Sequence, residues 1–311
     1  MSELAYTVDT YLTAISISTK KRVLVEGRYD RQHLNNLLSV VAPHNKIHID
    51  AAQYIKSSDK GINKNNRKKV EAIHQGSVEL GIDNVYFLCD REFRSFSVAD
   101  VIKDDLEGHY SSNKLHWTYG HSMENYFFHK NILIDAYRYL FSGENKNLSF
   151  NLFERIIDSS FQLIAALTLA SREMQRLTFP LSLVTWRDFI IQDDKIFLKK
   201  RTDLTWQDCE DNNSFYDFYH EYFSITSTSP PIVCSRISRG HTAMIILQRV
   251  FSACVFNINN NENKSLAEEG ANKFSNISEE IIANALSESW VRKIDRSQHN
   301  YPVSLFDVIV G

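Results

Sequence analysis

Hydrophobic and polar positions follow two rhythms along this chain. In the first part, Val23-Leu24-Val25 and Val85-Tyr86-Phe87-Leu88-Cys89 are short apolar runs with no polar alternation, the pattern of strands buried on both faces of a parallel sheet. Between them, Leu34, Leu37, Leu38 and Val41 recur at helical spacing until Pro43 ends the helix, and a short strand follows over 45–50. Val70, Ile73 and Val78 mark a second helix, and 114–120 reads as a fourth strand. Strand–helix alternation with short links predicts an α/β fold, a parallel sheet flanked by helices with right-handed crossovers. In such sheets ligands sit at the carboxyl ends of the strands.

After about residue 130 the rhythm becomes helical. Phe153, Ile157, Phe161, Ile164 and Leu167 share a stripe of one long helix. Residues 214–223 form an aromatic-rich helix, 240–256 another, and 276–294 a last one with Asn276 and Glu279 at capping-box spacing. The polar stretch 256–275 reads as an exposed linker or mobile loop, and 187–201 as a small hairpin. The chain thus divides into an α/β catalytic part, 1–135, and a mainly helical part, 136–311, for binding substrate, a second copy or a partner.

Composition narrows the class. With 311 residues, 43% hydrophobic and 23% charged, the chain has ample material for a packed core. No apolar run reaches the ~18 residues of a membrane span, and the start lacks the basic region and cleavage site of a signal peptide. The cytoplasm is the expected location, with no membrane partner. The four cysteines show no CxxC and no zinc-ligand spacing, and Cys89 reads as a small buried hydrophobe. A net charge of −3 means that nucleic acid could be attracted only by local patches. The densest patch carries Lys56, Lys60, Lys64, Arg67, Lys68 and Lys69, with Asp59 in its early part. Lys60, Arg67 and Lys68 are its candidates for contacting a phosphate backbone.

The chemistry-bearing positions are acids. Glu26 follows the first strand, Asp90 and Glu92 follow the third, and Glu124 follows the fourth. An unpaired buried charge costs several kcal/mol, so carboxylates at strand ends call for another reason. Like charges raise one another's pKa, and a divalent cation removes that repulsion. Mg²⁺ or Mn²⁺ takes oxygen ligands and serves phosphate chemistry. If the chain stays extended after the third strand, Asp90 and Glu92 point to one side and share a metal. His121 reads as a hydrogen-bonding neighbour of Glu124. Arg236, Arg239 and His241 read as a basic turn before a core helix, and the aromatic stripe of 214–223, like Trp117, Trp186, Trp206 and Trp290, as packing.

The motifs "VLVEGRYD", "YFLCDREF" and "HSMENYFF" resemble the Toprim fold of topoisomerases, primases and OLD-type nucleases, and more closely its DUF4435 branch. The family places a Glu after its first strand and an Asp-x-Asp pair after a later one; here the second acid of the pair is Glu92. Chain length and helical tail are similar to the Toprim effectors of PARIS anti-phage systems. The specific motifs lie between about residues 22 and 128.

The resemblance implies a metal-dependent endonuclease that is toxic to its own cell. It also implies restraint by an ABC-type ATPase sensor, release on phage infection, dimerisation when freed, and cleavage of host tRNA. Independently, the chain has no GxxxxGK[ST] loop, so any ATP dependence must come from another polypeptide. Glu26, Asp90, Glu92 and Glu124 are the expected catalytic and metal-holding residues, with Glu26 either a ligand or an acceptor of the water's proton. The rivals are a Toprim DNA nuclease or primase-like module, a catalytically silent interaction subunit, and a receiver-like phospho-acceptor domain. The last would need paired acids near the first strand and a late lysine, which the sequence does not clearly show.

Overall fold

A computed structural model describes residues 6–106, 108–199, 209–294 and 300–310. They cluster into two compact units, each drawing on several stretches of chain: 1–91, 106–123 and 291–311 in the first, 92–105 and 124–290 in the second.

The first unit is the α/β part. It contains α1 (Val8–Ser16), β1 (Arg22–Val25), α2 (Arg28–Val41), β2 (His48–Ala51), α3 (Lys60–Asn63), α4 (Asn66–Glu79) and β3 (Val85–Cys89). The strands β4 (Phe96–Val98) and β5 (Ile102–Asp104) form a hairpin assigned to the second unit, after which β6 (Ser111–Ser112) and β7 (Leu115–Trp117) return to the first. The five-stranded sheet has the order β2-β1-β3-β7-β6. β1 runs parallel to β2 and β3, and β3 parallel to β7; only β6 is antiparallel. The tight β6–β7 turn uses Asn113 and Lys114, both at positive φ, as the twist of a two-residue hairpin requires.

The runs that read as doubly buried are so. Val23, Leu24 and Val25 are at most 1% exposed, and Val85, Phe87 and Cys89 are fully buried. One side of the sheet packs Leu24, Phe87 and Trp117 against Val70 and Ile73 of α4 and Tyr11 and Ile15 of α1. Helix α1 lies close to α4 because Gly76 has no side chain: a Cβ there would stand 2.7 Å from Leu12 Cδ1. Asn65 starts α4 by accepting the Lys68 N–H at 3.0 Å.

The C-terminal helix α13 (Val303–Val310) belongs to this unit. Lys21 Nζ donates to the Ile309 carbonyl at 3.1 Å, and His116 Nδ1 of β7 meets Ser304 Oγ at 3.1 Å.

The second unit is mainly helical: α5 (Lys130–Leu140), α6 (Lys146–Glu173), α7 (Phe179–Leu183), α8 (Cys209–Thr226), α9 (Pro231–Ile237), α10 (Gly240–Asn259), α11 (Lys264–Ser275) and α12 (Glu279–Arg292). The expected hairpin is β8 (Phe189–Gln192) with β9 (Lys195–Leu198), turned at Asp193-Asp194, both at positive φ. Helix α6 carries the predicted stripe, and all five of its residues are buried. Its Phe153 joins Tyr137 of α5, Phe251 of α10 and Phe274 of α11, with Phe251 and Phe274 ring centres 4.7 Å apart.

Two expectations for this region are corrected. The polar stretch 256–275 is not a loop: Asn263 caps α11, whose Ala267, Ala271 and Phe274 are buried at i, i+4 and i+7. Small residues on that face disguised its periodicity. Helix α12 is capped by Ser278, whose hydroxyl accepts the Ile281 N–H, and Asn276 instead ends α11. In addition, α10 is by length and composition apolar enough to cross a membrane, although its sequence interleaves Thr242, Gln248 and Arg249. Two-thirds of its apolar window is buried, as in a core helix. Trp206 lies outside the described residues.

Two measurements check this packing. Tyr137 is fully buried and its hydroxyl has no hydrogen-bond partner among the described residues. Leaving a buried hydroxyl unpaired costs about 1–3 kcal/mol, so Tyr137→Phe is expected to hold or raise the urea midpoint; a clear fall would mean the hydroxyl is bonded. His116 is 3% exposed, and burial lowers its pKa from 6.5 to about 4. The unfolded chain therefore binds a proton that the fold refuses. Stability is complete above pH 6.5 and declines as pH falls toward 4, by up to about 3 kcal/mol. Urea titrations across that range are expected to show a shallower decline in His116→Gln.

Candidate functional site

Two carboxylates meet at the carboxyl ends of adjacent parallel strands. β1 ends immediately before Glu26 and β3 immediately before Asp90. Their register, Leu24 opposite Phe87, brings the two ends to within one residue of each other. The Asp90 N–H donates to Glu26 Oε1 at 3.0 Å, so the Glu26 side chain reaches across to the end of β3. Such a bond to an ionised acceptor is stronger than a neutral one. Both acids are partly exposed, which keeps their charges in contact with water.

The turn after Glu26 is tightly held. The Gly27 N–H donates to Asp30 Oδ2 at 2.8 Å, the Arg28 N–H to Gln53 Oε1 at 2.9 Å, and the Gln53 N–H to the Glu26 carbonyl at 3.2 Å. A Cβ on Gly27 would stand 3.3 Å from that Asp30 oxygen, so the turn favours glycine by close approach. The end of β3 is fastened on its other side. Arg91 is only 1% exposed; its N–H donates to Thr118 Oγ1 at 2.9 Å and its Nη1 to the Tyr119 carbonyl at 2.8 Å. The sequence reading passed over Arg91, because nothing in "DRE" separates a buried arginine from a surface one.

A third acid, Glu71 on α4, acts by its charge on Cys89, the last residue of β3. Arg67 Nε pairs with Glu71 Oε1 at 3.2 Å, and its guanidinium lies 5.6 Å from the centre of the Trp117 ring at the end of β7. The Cys89 thiol registers the whole group. Burial raises its pKa well above the usual value, the charges of Glu26, Asp90 and Glu71 raise it further, and Arg67 opposes them. Glu71 was missed in a stretch read as basic; its i,i+4 spacing from Arg67 was the available signal.

The expected basic patch therefore separates into three parts. Lys60, on α3, and Lys68 are exposed. Arg67 is held by Glu71 and Trp117. Lys69 is buried, donating from Nζ to the Ala52 carbonyl and Asn66 Oδ1, both at 3.3 Å, and burial lowers its pKa.

Glu92 and Glu124 fall in the second unit. The chain does not stay extended after Asp90: Glu92 is exposed at φ 53°, in the left-handed region. The condition for Asp90 and Glu92 to point to one side is thus not met. A glutamate held there bears strain of order 1–3 kcal/mol. Glu124 sits in a 3-10 helix, Met123–Phe127, and the neighbouring Asn125 donates from Nδ2 to the carbonyls of Ser235 and Ser238 at 2.7 and 2.8 Å. In the basic turn, Arg236 pairs with Asp104 at 3.3 Å and His241 with Glu279.

Among the described residues, no three or more His, Cys, Asp or Glu side chains form a group that could hold a metal ion. The pair Glu26 and Asp90 fits a narrower requirement. Mg²⁺ keeps several waters and is commonly held by one or two carboxylates together with substrate phosphate oxygens. Oxygen-only donors at the ends of parallel strands meet that demand. Neither protein-family models nor curated proteins give a match to this chain.

Because burial is the largest influence on Cys89, the native thiol is expected to resist iodoacetamide at pH 8, and Glu26→Gln should not make it reactive. Mass spectrometry after labelling, with and without urea, tests this; labelling of the folded protein would show that β3 opens.

Proposed function

We propose that this chain is a Mg²⁺-dependent phosphodiesterase that cleaves nucleic acid, with RNA as the favoured substrate. The carrying observation is the Asp90 N–H bond to the Glu26 carboxylate, which supports two acids acting together at adjacent strand ends. Glu26 and Asp90 would hold the cation, with Glu92 and Glu124 as the further carboxylates that the Toprim resemblance assigns. The chemistry such a cation would supply is polarisation of the scissile phosphate and activation of a water. Through that cation Glu26 and Asp90 would position the phosphate at the strand ends, and Lys60 and Lys68, exposed on α3 and α4, would neutralise the neighbouring backbone. Arg67, held by Glu71 and stacked near Trp117, acts as a spacer that keeps Glu71 from repelling the pair.

The wider role rests on resemblance alone: a toxic effector of anti-phage defence in the cytoplasm, cutting tRNA as a dimer once an ABC-type ATPase partner releases it.

Purified protein incubated with total RNA and with plasmid DNA, in Mg²⁺ and in EDTA, tests the reading. RNA should be cut only with Mg²⁺, and Glu26→Ala should slow cutting at least about 100-fold, the scale of losing one charge-stabilising group. Cutting of DNA alone would replace the substrate. Cleavage that survives both EDTA and Glu26→Ala would overturn the site.

A further inference from the structure

A cavity of about 550 Å³ opens in the first unit beside β2, the edge strand of the sheet. Its rim carries Tyr6, Tyr54, Arg31, Lys56 and Gln53. The N-terminal segment forms one wall: the Lys56 N–H donates to the Tyr6 carbonyl at 2.8 Å and the Val8 N–H to the Lys56 carbonyl at 3.0 Å. These bonds set Tyr6 beside the chain that leaves β2.

The charges here are unbalanced. Three cations, Arg22, Arg31 and Lys56, face one carboxylate, Asp50. Asp50 is already engaged, accepting from Arg22 Nη1 at 2.8 Å and from the Tyr11 hydroxyl at 2.9 Å. Arg31 and Lys56 are exposed, and neither side chain has a hydrogen bond or ion pair among the described residues. Arg22 Nε is buried without a hydrogen-bond partner among the described residues. Two cations left over beside a neutralised acid make an anion site, and a guanidinium offers two parallel donors to phosphate.

The tyrosines add a second requirement. Tyr6 is 52% and Tyr54 42% exposed, and both line the cavity. Inorganic phosphate alone would gain nothing from them, and an apolar ligand would leave the cations desolvated. A planar base satisfies the rings, since every base has a π-face to stack. Gln53 supplies a third feature. Its Oε1 accepts from Arg28 N–H, so its Nε2 is left as a donor without a partner among the described residues, suited to a base edge. The volume lies within the usual range for small-ligand sites.

We propose that this pocket binds one nucleotide unit, its base against Tyr6 and Tyr54 and its phosphate on Arg31 and Lys56. Gln53 connects it to the candidate site, because its own N–H donates to the Glu26 carbonyl at 3.2 Å. A strand whose scissile phosphate lies at Glu26 and Asp90 would place a neighbouring nucleotide here. That placement rests on the nuclease reading, whereas the pocket's ligand chemistry does not.

Binding is measured in EDTA, where no metal-dependent cutting occurs, by fluorescence anisotropy of a labelled single-stranded RNA decamer with AMP as competitor. Wild type, Arg31→Glu and Tyr54→Ala are compared, with circular dichroism confirming that each is folded. Arg31→Glu is expected to weaken binding at least about tenfold, by loss of a phosphate contact and charge reversal. Tyr54→Ala should weaken it roughly 5- to 150-fold, the range of one stacked base. Competition by AMP would identify a site open to free nucleotides, and failure of millimolar AMP to compete one that needs a strand. If the decamer and AMP both fail to bind, or if Arg31→Glu and Tyr54→Ala bind like wild type, the pocket is not a nucleotide site. The two readings fail separately: normal binding with no cutting in Mg²⁺ sinks the nuclease, and Glu26-dependent cutting with unaltered binding in Arg31→Glu sinks the pocket.

Discussion

A carboxylate has no place inside a parallel sheet covered on both faces, and the organisation of the first unit follows from where Glu26 can go. One residue earlier in β1 it would face apolar neighbours, with a desolvation cost of several kcal/mol. At the strand end it keeps contact with water and accepts the Asp90 N–H, which draws the ends of β1 and β3 together. The other fastenings serve the same place: Asp30 and Gln53 hold the turn after Glu26, and Arg91 ties the end of β3 to the chain after β7. The Glu26 carboxylate is thereby held against the backbone at the end of β3 rather than against another flexible side chain.

Electrostatics around the pair is decided by partners, not by counts. The stretch 56–69 appears basic from its lysines and arginine, yet those residues have different fates in the fold. Lys69 is buried against a carbonyl, Arg67 is matched to Glu71, and Lys60 and Lys68 remain at the surface. One residue of the stretch, Lys56, lines the cavity beside β2 together with Arg31, Tyr6 and Tyr54. Arg31 and Lys56 are 25 positions apart, so no local window could have grouped them.

The apolar runs of β1 and β3, the heptad-like spacing in α2 and the stripe of α6 were legible because burial imposes a period on sequence. Glu26 and Asp90 were legible for a related reason: they interrupt apolar runs at strand ends. Helix α11 was not, since Ala267 and Ala271 bury small faces that hardly register as hydrophobic amid lysines and glutamates. Nor was the left-handed turn at Glu92, which depends on how the chain leaves β3 rather than on any residue preference.

By itself the sequence determined the fold class, the parallel strands and the position of Glu26 and Asp90 at strand ends, because each is a local consequence of hydrophobic pattern or of the cost of burying charge. Only the tertiary structure decided that α13 and the stretch 106–123 join the α/β unit while the β4–β5 hairpin joins the helical one. It alone brought the charges of Glu71 and Arg67 to bear on Cys89 at the end of β3 and set Gln53 between Glu26 and the cavity beside β2. Such arrangements depend on contacts between residues far apart in the chain, and pairings of that kind leave no period in the sequence to read.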